Sequence, residues 1–124
     1  MELYIDTTGG DYIEIALLKR GAFICKKKFK AKYRQAEKLL PGIKEILAKN
    51  KINIANIKKV KVANKENEKT SFTALRIGVV TANALGYALG IPVTGEKNSV
   101  SKGQQFSIVK PIYNRKPNIT TKKA

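Results

Sequence analysis

The sequence predicts an α/β domain of order βββαβαβ, three antiparallel strands extended by parallel ones. Three observations carry that reading. Residues 1–31 contain three runs of alternating apolar and polar residues, separated by turn formers, which is the period of half-buried strands. Two later segments repeat apolar residues at helical spacing. Each of those segments is followed by a short β-branched run, as in a crossover unit that returns the chain parallel to an earlier strand.

The first run, "LYIDTT", gives way to a polar turn at Thr7–Asp11. "YIEIALLK" and "AFICKKKF" follow, joined by Arg20-Gly21, so an antiparallel meander is the economical arrangement. Lys26, Lys27 and Lys28 read as an exposed end or edge of the third strand, where lysine discourages edge-to-edge pairing. A helix is predicted from about Lys32 to Lys49, with Tyr33, Ala36, Leu40, Ile43 and Leu47 on one face and Leu39 and Ile46 widening it. Pro41 falls inside and should kink it or mark a restart. Ile57–Ala63 reads as a fourth strand parallel to the first. Thr70 or Ser71 is placed to cap a second helix, which Gly90 and Pro92 end, and "IPVTG" gives a short fifth strand. With right-handed crossovers this order is that of a ribonuclease-H-like half-domain. Composition then divides the chain into a lobe at 1–95, a linker at 96–105 and a C-terminal strap at 106–124. In the strap, Phe106, Ile108, Val109, Ile112 and Tyr113 are too apolar for a free tail.

At 124 residues and 43% hydrophobic content the chain suits one domain with a real core. Its net charge of +16, from 25 basic and 9 acidic residues, has two readings: attraction to a polyanion, or a lysine bias inherited from base composition. Arginine, the better reader of bases, occurs only four times. Histidine is absent, which removes Ser-His-Asp catalysis and the usual zinc sites. Cys25 is the single cysteine and reads as a small core residue, consistent with a reducing, cytoplasmic setting. The apolar stretch 77–93 is 17 residues long and holds Asn83 and Pro92, short of the ~20 residues that span a bilayer, so no membrane association is expected.

Two functions of different class follow from the residues alone. A ribonuclease-H-like nuclease would use Asp6 with Glu66 or Glu68, but the only later acid is Glu96, so a two-metal carboxylate site looks incomplete. A turn-forming role for Asp6 is the preferred reading. An autonomous basic RNA-binding module is motivated by the charge, yet no strand carries a pair of aromatics of the kind that stacks bases.

The second helix poses its own question. Ala74, Gly78, Ala82, Gly86 and Gly90 recur at every fourth position, although glycine within a helix costs about 1 kcal/mol relative to alanine. Such a stripe makes a shallow groove that admits another backbone, while Leu75, Val79, Leu85 and Leu89 form a separate ridge. Two occupants fit the groove: the neighbouring helix of the same fold, or another subunit.

At these residues a resemblance enters. "SFTALRIGVVTANALGYALGIPVTG" is similar to the most recognisable segment of the bacterial TsaB (YeaZ) family, which reads SFTGLRIG, a small-residue helix, then LGIPL-x-G. "YIDTT" resembles the family's opening IDTS, "EKLLPGIKEILAKNKINIANIKKVKV" its E-x-LLP helix and next strand, and "KPIYNRKPNIT" its closing P-x-YLR segment. Departures are Glu68-Lys69-Thr70 where the family has Gly-Pro-Gly, Gln35 in place of a histidine, and the lack of a second lobe, so a minimal one-lobed member is expected. The resemblance implies an ASKHA-type (actin-like, Hsp70-like) half-domain over residues 1–95. It further implies a non-catalytic scaffold with no cofactor of its own, which pairs with TsaD in making threonylcarbamoyladenosine in tRNA. ATP and a metal ion are then expected on the TsaD-like partner. A TsaE-like ATPase acts through that complex, tRNA is met indirectly, and a homodimer uses the same surface. The implied partner interface is Ala74, Leu75, Gly78, Val79, Ala82 and Gly86 of the second helix with Leu40, Ile43 and Leu47 of the first.

Overall fold

The structure, a computed structural model, describes residues 1–65 and 72–95. Elements run β1 (Glu2–Gly9), β2 (Tyr12–Lys19), β3 (Ala22–Lys30), α1 (Gln35–Lys49), a short 3-10 turn (Ile54–Asn56), β4 (Lys59–Val62), α2 (Phe72–Leu89) and β5 (Val93–Gly95). This is the expected βββαβαβ order. The expected cap at Thr70 or Ser71, the acids Glu66 and Glu68, the linker 96–105 and the strap 106–124 lie outside the described residues.

The strands form one sheet of five in the order β3-β2-β1-β4-β5. β1–β2 and β2–β3 pair antiparallel, while β4 lies parallel to β1 and β5 parallel to β4. The β2–β3 hairpin is as tight as its sequence suggests. Lys19 pairs with Ala22, and Arg20 and Gly21 both take positive φ (54° and 80°), the type I′ geometry whose twist matches the flanking strands.

Both helices lie on one face of the sheet. That face carries Leu3 and Ile5 of β1, Ile15 and Leu17 of β2, Val60 and Val62 of β4 and Val93 of β5, all essentially without solvent contact. α1 adds Leu39, Ile43, Ile46 and Leu47 and covers β2; α2 adds Leu75, Val79 and Ala82 and covers β1 and β4. α2 stops by a Schellman motif. Gly90 takes φ 67°, its N–H donates to Tyr87 O, and Ile91 N–H donates to Gly86 O at 2.9 Å, so orphan carbonyls of the last turn are satisfied.

The structure corrects or refines three sequence expectations. α1 begins at Gln35 rather than near Lys32, because Tyr33 sits at φ 61°, a left-handed conformation that no helical residue adopts. Pro41 does not restart the helix, which runs continuously through it. Lys26, Lys27 and Lys28 do lie on the edge strand, but Lys27 is on the helix side of it, where its Nζ donates to Glu45 Oε1 at 2.5 Å. Of the described residues, no helix is long and apolar enough to cross a membrane.

The Lys27 hydrogen bond, then its charge and that of Lys49, holds the Glu45 carboxyl below its ordinary value. A carboxylate depressed in the folded state stabilises above its unfolded pKa, and that contribution is lost as pH falls through the folded one. Lys27→Met is therefore expected to raise the Glu45 titration midpoint, read by NMR. The melting difference between variant and wild type should shrink as the solution is acidified through that midpoint.

Candidate functional site

The small-residue stripe of α2 faces the protein's own sheet. Ala74 and Ala82 are buried, with 1% and 0% of their surface exposed, and Gly78 and Gly86 are buried beside them. A Cβ built on Gly78 collides with the Thr7 hydroxyl of β1, and one on Gly86 collides with Val93 Cγ2 of β5. Thr7 Oγ1, itself fully buried, donates to Ala74 O at 2.6 Å, which pins the first turns of α2 to the end of β1. The occupant of the groove is thus neither the neighbouring helix nor another subunit, but the sheet.

This corrects the interface read from the sequence. Leu75, Val79, Ile43 and Leu47 are core residues together with the stripe, so eight of the nine expected positions (Ala74, Leu75, Gly78, Val79, Ala82, Gly86, Ile43, Leu47) are unavailable to a partner in the folded chain. Leu40 alone, 51% exposed, lies on the outside. The physical reason is rotation about the helix axes. On α1 the buried set is Leu39, Gly42, Ile43, Ile46 and Leu47, which turns Ala36 and Leu40 outward.

What the outer faces present instead is a second apolar row that the sequence reading passed over. Thr73, Ile77, Val80, Ala84 and Tyr87 follow one another along α2 at steps of three or four residues. Val80 and Tyr87 are 62% and 73% exposed. Between this row and α1 runs an open groove of about 390 Å³, lined by Ala36, Leu40, Thr73, Arg76, Ile77, Val80 and Thr81. Exposed large apolar side chains this close together on two helices are the composition of an interface core. The signal was available: α2 is apolar nearly all round, and the ridge opposite a close-packed stripe has no sheet to meet.

The candidate acid of the nuclease reading is engaged locally. Asp6 Oδ1 accepts from Thr8 N–H at 2.7 Å and from Thr8 Oγ1 at 2.5 Å, and Tyr4 Oη donates to Oδ2 at 3.3 Å. Those contacts hold Asp6 within β1, paired with Glu14 and beside the register irregularity between Asp6 and Gly9, rather than in the turn expected from the sequence. Cys25 is half-buried against the core, and Asn50 Nδ2 donates to its Sγ at 3.3 Å.

Comparison with known proteins places this geometry. Residues 30–100 match the family model of TsaD, described as tRNA N6-adenosine threonylcarbamoyltransferase. Among solved structures the chain is similar to YeaZ from Pseudomonas aeruginosa, at TM-score 0.66 and 22% identity, over 76% of this chain and 42% of that one. A structure titled as an uncharacterized protein with similarity to peptidase YEAZ, from the same organism, matches at TM-score 0.66 and 22% identity, over 76% and 41% of the two chains. The chain therefore spans about two fifths of the length of the solved structures it matches, and its fold is theirs, the ASKHA-like fold expected from the sequence. No curated protein matches it.

Because the stripe is internal, enlarging it should act on stability. Gly78→Ala is expected to displace Thr7 and break its bond to Ala74, and Ala82→Leu to overpack the core. Each should lower stability by roughly 1–3 kcal/mol in thermal or denaturant unfolding.

Proposed function

The chain belongs to the TsaD family, that of tRNA N6-adenosine threonylcarbamoyltransferase, and from that premise we propose that it serves threonylcarbamoyladenosine formation in tRNA as a non-catalytic, TsaB-like scaffold. In this reading it pairs with a TsaD-like protein through the outer faces of α1 and α2. The observation that carries the proposal is the exposed pair Leu40 and Val80 lining an open apolar groove between α1 and α2, with Tyr87 exposed farther along α2, on a YeaZ-like fold. Apolar anchors of this size, desolvated together, supply most of the affinity of a typical interface.

ATP and a metal ion belong to the TsaD-like partner in this account, and a TsaE-like ATPase acts on the assembled pair. tRNA is met through the complex, in the cytoplasm. On the chain itself, the Asp6 carboxylate accepts hydrogen bonds from Thr8 and Tyr4, which supports a positioning role for it in this reading. A second copy of the chain is the alternative occupant of the helix face.

The test is copurification with the TsaD-like protein of the same organism. Leu40→Glu and Val80→Glu place a charge where the partner must exclude water. Each is expected to weaken pairing more than tenfold, or over about 1.4 kcal/mol, while the melting temperature stays close to wild type because both sites are solvent-exposed. Pairing unchanged by both substitutions would refute the helix-face interface. Purified alone, the chain is expected to hydrolyse no ATP; a hydrolytic activity abolished by Asp6→Ala would overturn the non-catalytic part.

A further inference from the structure

The sheet has two faces, and the described helices cover only one. On the other, register places Tyr4 of β1, Tyr12 of β2 and Phe23 of β3 on the same side. Phe23 is 52% exposed and Tyr12 is 43% exposed, an unusual placement for rings on the water-facing side of a sheet. Tyr4 and Phe23 meet edge to face, with ring centroids 6.5 Å apart and planes at 78°. Cations sit over these rings. Lys26 Nζ lies 4.2 Å from the Phe23 centroid, and Lys28 Nζ lies 5.3 Å from that of Tyr12.

The same face gathers charge from two strands that flank the aromatics. β3 contributes Lys26, Lys28 and Lys30, and β4 contributes Lys59 and Lys61, which pair with Glu2 and Tyr4. Glu2, Asp6 and Glu14 also lie on this side, but Asp6 is tied to Thr8 and Glu14 pairs in register with Lys28. Lysines therefore outnumber carboxylates, on a chain whose net charge is +16. Phe23 pairs with Leu18, at the far end of β2 from Tyr12, so the outer rings stand roughly 20 Å apart at about 3.4 Å per residue. That distance suits a few successive nucleotides.

We propose that this sheet face, which neither described helix covers, binds single-stranded RNA, stacking unpaired bases on Phe23 and Tyr12 while Lys26, Lys28 and Lys61 neutralise phosphates. A base that stacks on Phe23 or Tyr12 must displace the lysine over that ring, which frees Lys26 and Lys28 for the neighbouring phosphates. Rings at a sheet surface can take only bases that are already unstacked, which selects a single strand over a duplex. Lysine supplies charge without the forked geometry that reads base edges, so recognition is tolerant of sequence. The choice of RNA over DNA rests on the proposed function above; the face itself is opposite the helix interface and is tested separately from it.

The experiment is fluorescence anisotropy of the full chain with fluorescein-labelled oligo(U), the matching oligo(dT) and a blunt RNA duplex, across a salt series. The RNA strand is expected to bind tightest. Phe23→Ala should weaken it at least about fivefold and Phe23→Tyr should restore it. Lys26→Gln with Lys28→Gln should reduce the slope of log affinity against log salt by about one to two. The charge-matched control on α1, Lys38→Gln with Lys44→Gln, should leave affinity within about twofold, and every sheet-face variant should still copurify with the TsaD-like partner. Equal losses in the α1 control, an indifferent Phe23→Ala, or a duplex bound as tightly as the single strand would overturn the proposal. DNA bound as tightly as RNA would overturn the assignment to RNA. A photoreactive benzoylphenylalanine at position 23 completes the test: cross-links to RNA support it, and cross-links confined to residues 96–124 would show that the chain covers this face itself.

Discussion

The contact between α2 and the sheet, made through residues with almost no side chain, governs the rest of this fold. Gly78 rides over Thr7 and Gly86 over Val93, so the helix backbone lies closer to the strands than any larger residue would allow. At such range Thr7 Oγ1 reaches Ala74 O, and a buried hydroxyl finds the partner that burial demands. The conformational cost of helical glycine is offset by dispersion and by this hydrogen bond, both of which need close approach. Once the stripe is fixed against β1 and β5, the rotation of α2 is fixed too. Val80 and Tyr87 have then nowhere to point but outward.

That rotation links packing to function. A helix apolar on both sides satisfies one side within its own domain and leaves the other for something else. Beside α2, α1 turns Leu40 into the same groove, so two elements that contact different strands contribute to one surface. The side of the sheet that the described helices leave bare is different in kind. Its rings stand over Ala16 and Leu18 of β2 and are flanked by lysines, so its chemistry suits an anionic partner while the helix groove suits an apolar one. The two surfaces are on opposite sides of the sheet and can be occupied together.

Much of the architecture was legible because its signals are local. Alternation marked β1 to β3, Arg20-Gly21 marked the hairpin, and Gly90 with Pro92 marked the end of α2; each depends on residues close in sequence. The misplaced interface shows where that ends. A four-residue repeat of small residues says that some backbone comes close, but not which one. The deciding partners, Thr7 and Val93, belong to strands far away in the chain. The same limit hid the aromatics of the open face. Tyr4 and Phe23 come from different strands and meet only through the register across β2, so a search within single strands does not find them. In α1 the periodicity was right, but the buried stripe centres on Leu39, Ile43 and Ile46, so Leu40 faces out, while Tyr33, in a left-handed conformation, lies before the helix.

The central claim is that α2 presents its small side to the sheet and its Val80 side to a partner. The most direct measurement is thiol labelling of single cysteines introduced as Ala82→Cys and Val80→Cys in a Cys25→Ser background, with and without the TsaD-like protein. The account predicts that a cysteine at position 80 reacts freely in the lone chain and is shielded in the pair, while one at position 82 is shielded in both. A cysteine at position 82 that reacts freely in the lone chain and becomes shielded only on pairing would contradict it.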